Sequence, residues 1–203
     1  MATITTVAAH FYSIKEEVRI LGIDDGPFKR TDKDVLVVGT VFRGGRWLDG
    51  LMSTRAGVDG LDATDRLSAM VRRCRFKDLR VIMLDGIAVG GFNVVDMARL
   101  SEETGLGVIA VSRVMPDFTG IRSALRNLEE GDRRWALIEA AGKPKPVETR
   151  PGKCVFIQAA GIRLDTASAI VKVAATRSLL PEPIRAAHII ARGIVLGESK
   201  GKA

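Results

Sequence analysis

Two aspartates sit at the ends of apolar runs. Asp24 closes VRILGIDD (18–25) and Asp85 closes RVIMLD (80–85); a glycine follows each run directly. Carboxylates at strand ends are the oxygen ligands that a hard cation such as Mg²⁺ takes, with water filling the rest of its octahedron. The same residues are turn formers, since Asp-Asp-Gly-Pro and Asp-Gly both favour reversals of the chain. Strand alternation puts Asp24 on the face of Ile20 and Gly22, and Asp25 on the opposite face with Leu21 and Ile23. If the two strands are parallel neighbours, Asp24 and Asp85 emerge together at one edge of a sheet. His188, on PIRAAHIIARG (183–193), is the third candidate. A lone helical histidine is ordinarily a packed or surface residue. Arg185 and Arg192, however, lie at i−3 and i+4 from it, so one helix face carries two cations suited to phosphate.

Other chemistries are excluded by residue type. His10 and His188 are the only histidines, so any metal site relies on carboxylates, and zinc-finger and H-E-x-x-H readings fail. There is no G-x-x-x-x-G-K-[ST] loop, no G-x-G-x-x-G and no G-x-S-x-G elbow. Gly90-Gly91 lies five residues past the strand ending at Asp85, where it reads as shaping a loop rather than cradling a nucleotide.

The elements that must position these residues follow from periodicity. Runs at 18–25, 35–44 and 47–56, the last two divided by a Gly44-Gly45-Arg46 turn, predict an antiparallel meander. Leu67, Met70, Val71 and Cys74 recur at helical spacing after Asp62, a capping-type residue. Strands at 80–85 and 105–113 enclose a helix at 94–104, a connection long enough for a right-handed parallel crossover. Helices are expected at 117–128 and 132–141, a basic, Pro-rich loop at 142–153, and a strand at 154–161. Helices capped by Asp165 (165–177) and opened by Pro183 (183–195) end the pattern, and the tail GESKGKA is expected to fray. The fold class is therefore α/β, a mixed sheet with three antiparallel and then parallel strands, read as a single domain over 1–203.

Composition supports an ordered, non-membrane protein. A 46% hydrophobic share provides a core, and 27% charged residues spread along the chain exclude low-complexity disorder. The longest stretch without a charged side chain, residues 1–14, is too short to span a bilayer and lacks the basic start of a secretion signal. A soluble, cytoplasmic protein is expected, with Cys74 and Cys154 reduced. Net charge is +7, and arginine supplies 21 of the 31 positive side chains, which is compatible with a nucleic-acid partner. Asn93, Asn127 and Gln158 are the only side-chain amides, a poverty that points to a hot source.

The blocks LGIDDGPF (21–28), VIMLDGIAVGGFNVVD (81–96), TGLGVIAVSR (104–113) and LPEPIRAAHIIARGIVLGESKGKA (180–203), with DGLDAT (59–64), resemble an archaeal family of unknown function related to endonuclease V. That resemblance implies a ribonuclease H-like fold and Mg²⁺- or Mn²⁺-dependent cutting of DNA or RNA near a deaminated purine. It places metal-binding aspartates on Asp24 and Asp85, a metal-site histidine on His188 and the catalytic lysine's position on Arg113. Three departures stand out. The window that should hold a metal-binding glutamate offers only Asp59, Asp62 and Asp65; the first choice for Asp62 is a helix cap. No Pro-Tyr-Ile-Pro-like wedge is present, and Tyr12 is the only tyrosine. At residue 113 a guanidinium replaces the lysine, and it holds charge without shuttling protons.

The leading expectation is a nuclease in which Asp24, Asp85 and His188 hold the metal, Arg113 offsets charge on the phosphate, and Arg185 and Arg192 position the backbone. Two alternatives stand beside it: a non-catalytic nucleic-acid binder on the same fold, and an interaction module with a remnant acidic site.

Overall fold

The computed structural model describes residues 14–200. His10, Tyr12 and the last three residues of the tail lie outside them. β1 (Arg19–Asp25), β2 (Asp34–Arg43) and β3 (Trp47–Gly57) form the expected antiparallel meander, and α1 (Ala63–Arg72) follows. β4 (Val81–Asp85) leads through a short hairpin, β5 (Ala88–Val89) and β6 (Asn93–Val94), into α2 (Met97–Thr104) and β7 (Gly107–Ser112). Then come α3 (Phe118–Leu125), α4 (Gly131–Ala140), β8 (Lys145–Arg150), β9 (Lys153–Ala160), α5 (Leu164–Ala174) and α6 (Glu182–Leu196). The main sheet runs β3-β2-β1-β4-β7-β9-β8, with β1, β4 and β7 parallel and β9 antiparallel to β7.

Alternation along the central strands divides the core between two faces. Leu21, Ile23, Ile82 and Leu84 point towards α1 and α2, packing with Leu67, Met70, Met97 and Leu100. Ile20, Val81, Met83 and Ile109 point the other way, against Ile170 and Val171 of α5 and Ile184 of α6. Burial on both faces explains why β1, β4 and β7 read as continuous apolar runs instead of alternating ones. Among the described residues no helix is long and apolar enough to cross a membrane.

Two elements differ from the sequence reading. The segment 142–153 is not a loop throughout: Lys145–Arg150 pairs antiparallel with β9, with Val147 buried against the core. It is an edge strand, and lysine and proline are what edge strands carry to discourage further pairing. The helix expected from residue 94 begins at Met97, capped by the Asp96 carboxylate, which accepts from Arg99 N–H at 3.0 Å; residues 93 and 94 belong to the hairpin instead.

The position of α6 depends on one glycine. α6 packs across β1 and β2, and the Thr40 hydroxyl donates to the Pro183 carbonyl at 2.6 Å. Thr40 is the β2 partner of Gly22, and a Cβ on residue 22 would lie 2.3 Å from the Pro183 carbonyl carbon and 2.6 Å from the Ile184 nitrogen. Both obstacles are backbone, so a side chain there must push the helix off the sheet. Gly22→Ala is therefore expected to cost about 3 kcal/mol, near the top of the range for overpacking. Urea denaturation checks this, and a midpoint equal to that of wild type would rule out the close approach as a constraint.

Candidate metal centre

The parallel register of β1 and β4 pairs Ile23 with Leu84, which sets the next residues of each strand, Asp24 and Asp85, side by side at the carboxyl edge of the sheet. α6 brings His188 over the same edge, because its first turn is seated on Gly22 just before Asp24. The Asp24 Oδ2 lies 2.8 Å from His188 Nδ1, and Asp24 Oδ1 accepts from the Asp25 N–H at 2.8 Å. One ligand atom from each of Asp24, Asp85 and His188 lies within 4.8 Å of the other two. Asp24 is buried at 6% exposure, while Asp85 and His188 are partly open.

These carboxylates carry more negative charge than their surroundings compensate. Burial, and then the neighbouring Asp24 charge, push the Asp85 carboxyl up to about 6, against the lowering pull of Arg113 and His188. Asp24 is also raised, chiefly by burial and further by Asp25, although its hydrogen bond to His188 works in the other direction. Asp25, on the opposite face, is raised by burial despite accepting the Gly90 N–H at 2.9 Å. An oxygen-rich group with excess negative charge and an open side fits a hard divalent cation completed by water. A structural ion pair would show the opposite shift.

The remaining candidates are distributed differently. Arg113 is exposed immediately after β7, the parallel neighbour of β4, close enough to act on the Asp85 charge. Arg185 is on the expected helix face, but its guanidinium makes a bidentate pair with buried Glu182, at 3.0 and 2.6 Å. Arg192 is partly exposed and makes no ion pair among the described residues. None of the three aspartates in 59–66 reaches the centre. Asp59 accepts from Phe92 N–H at 2.8 Å, and Asp65 pairs with Arg99. Asp62 stands immediately before α1 without its side chain capping it; its carboxylate bonds Gly57 N–H, Arg66 and the Asn93 amide. The cap comes from Asn93, whose Oδ1 accepts from Ala63 N–H at 2.9 Å. Gly90 and Gly91, with φ of +57° and +88°, turn the β5–β6 hairpin.

Two roles escaped the sequence reading: Asn93 as the cap of α1, and Asp25 as a charge acting on Asp24. Asn93 carried one signal, as one of three amides in a chain otherwise without them.

A family model described as Endonuclease dU matches residues 16–195. A "UPF0215 protein" of Methanothermobacter thermautotrophicus is 55% identical over 197 residues, 96% of each chain. The crystal structure of a protein of unknown function from Archaeoglobus fulgidus is similar at 40% identity and TM-score 0.78, over 87% of this chain and 97% of that one. The structure of Ciona intestinalis endonuclease V, in complex with DNA containing an inosine followed by a ribo-adenosine, aligns at TM-score 0.61 and 16% identity. That alignment spans 88% of this chain and 86% of the other, so the ribonuclease H-like architecture of endonuclease V is shared where the sequence hardly is. The chain belongs to the endonuclease dU family, an archaeal family with the endonuclease V fold.

Proposed function

We propose that this protein is a metal-dependent phosphodiesterase that cuts DNA or RNA near a deaminated base, with deoxyuridine, from the family's description, the first substrate to test. The observation that carries this reading is the convergence of Asp24, Asp85 and His188 at one sheet edge, with both carboxyls raised by burial and by the neighbouring carboxylate charge. Asp24 and Asp85 would hold the ion, Mg²⁺ or Mn²⁺, with His188, whose Nδ1 lies 2.8 Å from Asp24 Oδ2, as the third group of the set. When bound, such an ion supplies a polarised phosphoryl oxygen and a more acidic water. Arg113 stands beside Asp85 and offsets the charge that accumulates on the phosphate, without exchanging protons. Arg192 contacts the flanking backbone, whereas Arg185, engaged by Glu182, serves to shape the helix turn that carries His188.

The test is cleavage of labelled oligonucleotides containing uracil, inosine or neither, as DNA and RNA, in Mg²⁺ and Mn²⁺. Metal-dependent cutting by wild type that disappears in Asp24→Asn is the expected result. A folded wild type that cuts none of them overturns the reading. Arg113→Ala is expected to slow the reaction about 10²-fold, as loss of one charge-stabilising donor does, while leaving the metal-induced rise in melting temperature unchanged.

One observation favours a second reading. No carboxylate from 59–66 reaches the centre, and residue 113 is arginine, so the same edge would also suit a binder that holds nucleic acid through the metal without hydrolysing it.

A further inference from the structure

α3 and α4 pack on each other beside the sheet around a small hydrophobic cluster. Phe118 and Trp135 meet edge to face, centroids 6.3 Å apart, and the Arg122 guanidinium lies 5.1 Å from the Trp135 ring centroid. The inner sides of these rings close a small core with Leu125, Ile138 and Val94. Their outer sides line two open depressions of 380 and 410 Å³, both bordered by Arg122, Arg126 and Trp135. Each is large enough for a base-sized ligand.

The two arginines of this cleft stand outside the molecule's ion pairs among the described residues. Arg19, Arg43, Arg55, Arg66, Arg72, Arg99, Arg133, Arg163 and Arg185 all have carboxylate partners. Arg122 and Arg126, one helical turn apart, have none among the described residues, and Asp132 is the one carboxylate lining the first depression. The Trp135 indole N–H is shielded from water and has no hydrogen-bond partner. A cation pair beside an aromatic ring matches the way single-stranded nucleic acid is held: stacking for the bases, guanidinium for the phosphates. Phe118 is five positions on from Arg113, so the cleft begins within about 17 Å of Arg113, the span of an extended chain of that length.

We propose that the α3–α4 cleft is a second nucleic-acid subsite, in which an unpaired base stacks on Trp135 and Arg122 and Arg126 take the adjoining phosphates. This rests on the reading of the sheet edge as a nucleic-acid site, but it makes its own contacts and can fail separately.

Trp47 and Trp135 are the only tryptophans, so Trp47→Phe leaves Trp135 as the sole indole reporter. Titration of that protein with short oligodeoxythymidylate, without metal, is expected to quench its fluorescence saturably. Arg122→Ser with Arg126→Ser, both surface changes, is expected to weaken binding about tenfold and to flatten the log K against log salt slope by about 1.4, two single-strand phosphate contacts. Trp135→Phe in the wild-type background, followed by gel retardation, is expected to retain most of the affinity because a ring remains. An absent quench, or one that the double arginine variant leaves unchanged, overturns the proposal. So does inorganic phosphate producing the same quench with nothing added by the oligonucleotide, which would make the cleft a simple anion site. Quenching and cleavage in Mg²⁺, measured with single strands that contain uracil or inosine, separate the two readings. Quenching without cleavage keeps the subsite and rejects the nuclease. Cleavage with an unchanged KM in the double variant keeps the nuclease and rejects the subsite.

Discussion

Replacing Asp85 by asparagine is expected to make the metal-free protein more stable while abolishing cleavage. In the folded chain this carboxyl titrates near 6, against 3.8 for an unperturbed aspartate. Between those values the folded state holds more protons than the unfolded one, so stability falls as pH rises through the window. Above pH 6 the whole cost is present, about 3 kcal/mol at most for a shift of this size. Asparagine removes the charge and keeps the shape. At pH 7.5 without metal, Asp85→Asn should therefore melt higher than wild type by about 4–8 °C, taking some 2 kcal/mol as recovered. At pH 3, below both values, where Asp85 is largely protonated in both states, the two proteins should melt together. Adding Mn²⁺ should reverse the order at neutral pH, since an ion that binds only the folded wild type stabilises only the wild type. Differential scanning calorimetry across pH, with and without metal, reads all three comparisons. A variant less stable than wild type at pH 7.5 would mean that Asp85 is compensated by contacts of its own and is no centre waiting for a cation.

The second large effect lies away from the centre. Arg134 of α4 is 3% exposed, and no carboxylate neutralises it among the described residues. Its guanidinium donates instead to main-chain carbonyls: Glu129 at 3.1 Å, Asp59 and Gly60 at 2.7 Å, and Phe92. A single side chain thus joins α4 to the loop after β3 and to the turn of the β5–β6 hairpin that follows Asp85. Asp59 has a φ of +47°, a conformation uncommon for a non-glycine residue, and it receives both the guanidinium and the Phe92 N–H. Arg134→Met keeps the volume and leaves four buried carbonyls short of a donor, an expected loss of about 4 kcal/mol. Arg134→Lys, with a point charge and fewer donors, should lose roughly half as much. Equilibrium denaturation measures both, and equal losses for the two variants would show that the fork geometry contributes nothing.

Much of the centre was legible because strand chemistry is local. Asp24 and Asp85 each close an apolar run, and alternation alone assigns Asp24 to the face of Ile20 and Gly22. His188 was legible only as a residue on a helix face, because its approach to Asp24 depends on how α6 crosses the sheet. The mark of that crossing was Gly22, a glycine within an otherwise apolar strand, which can signal close backbone approach. Asp62 illustrates the reverse case. Its position before an apolar helical pattern is a sound capping signal, yet a buried amide from 31 residues away captures its carboxylate and caps the helix in its place. Neither β8 nor the β5–β6 hairpin carries a clear periodic signal: one is an edge built of lysine and proline, the other two strands of two residues each. Arg185 reads as a free cation until the helix brings Glu182 beneath it.

The contact between Asp24 and His188 joins groups 164 positions apart in the chain. A ribosome delivers the N-terminal partner first, so β1 can pair with β2 and β4 long before the helix that completes the edge exists. Until α6 emerges, the groove at Gly22 has no occupant and Asp24 has no imidazole beside it. The candidate centre is thereby assembled in an order that withholds its histidine until almost the whole sheet is in place. A chain released before α6 would carry both carboxylates and still lack the complete triad.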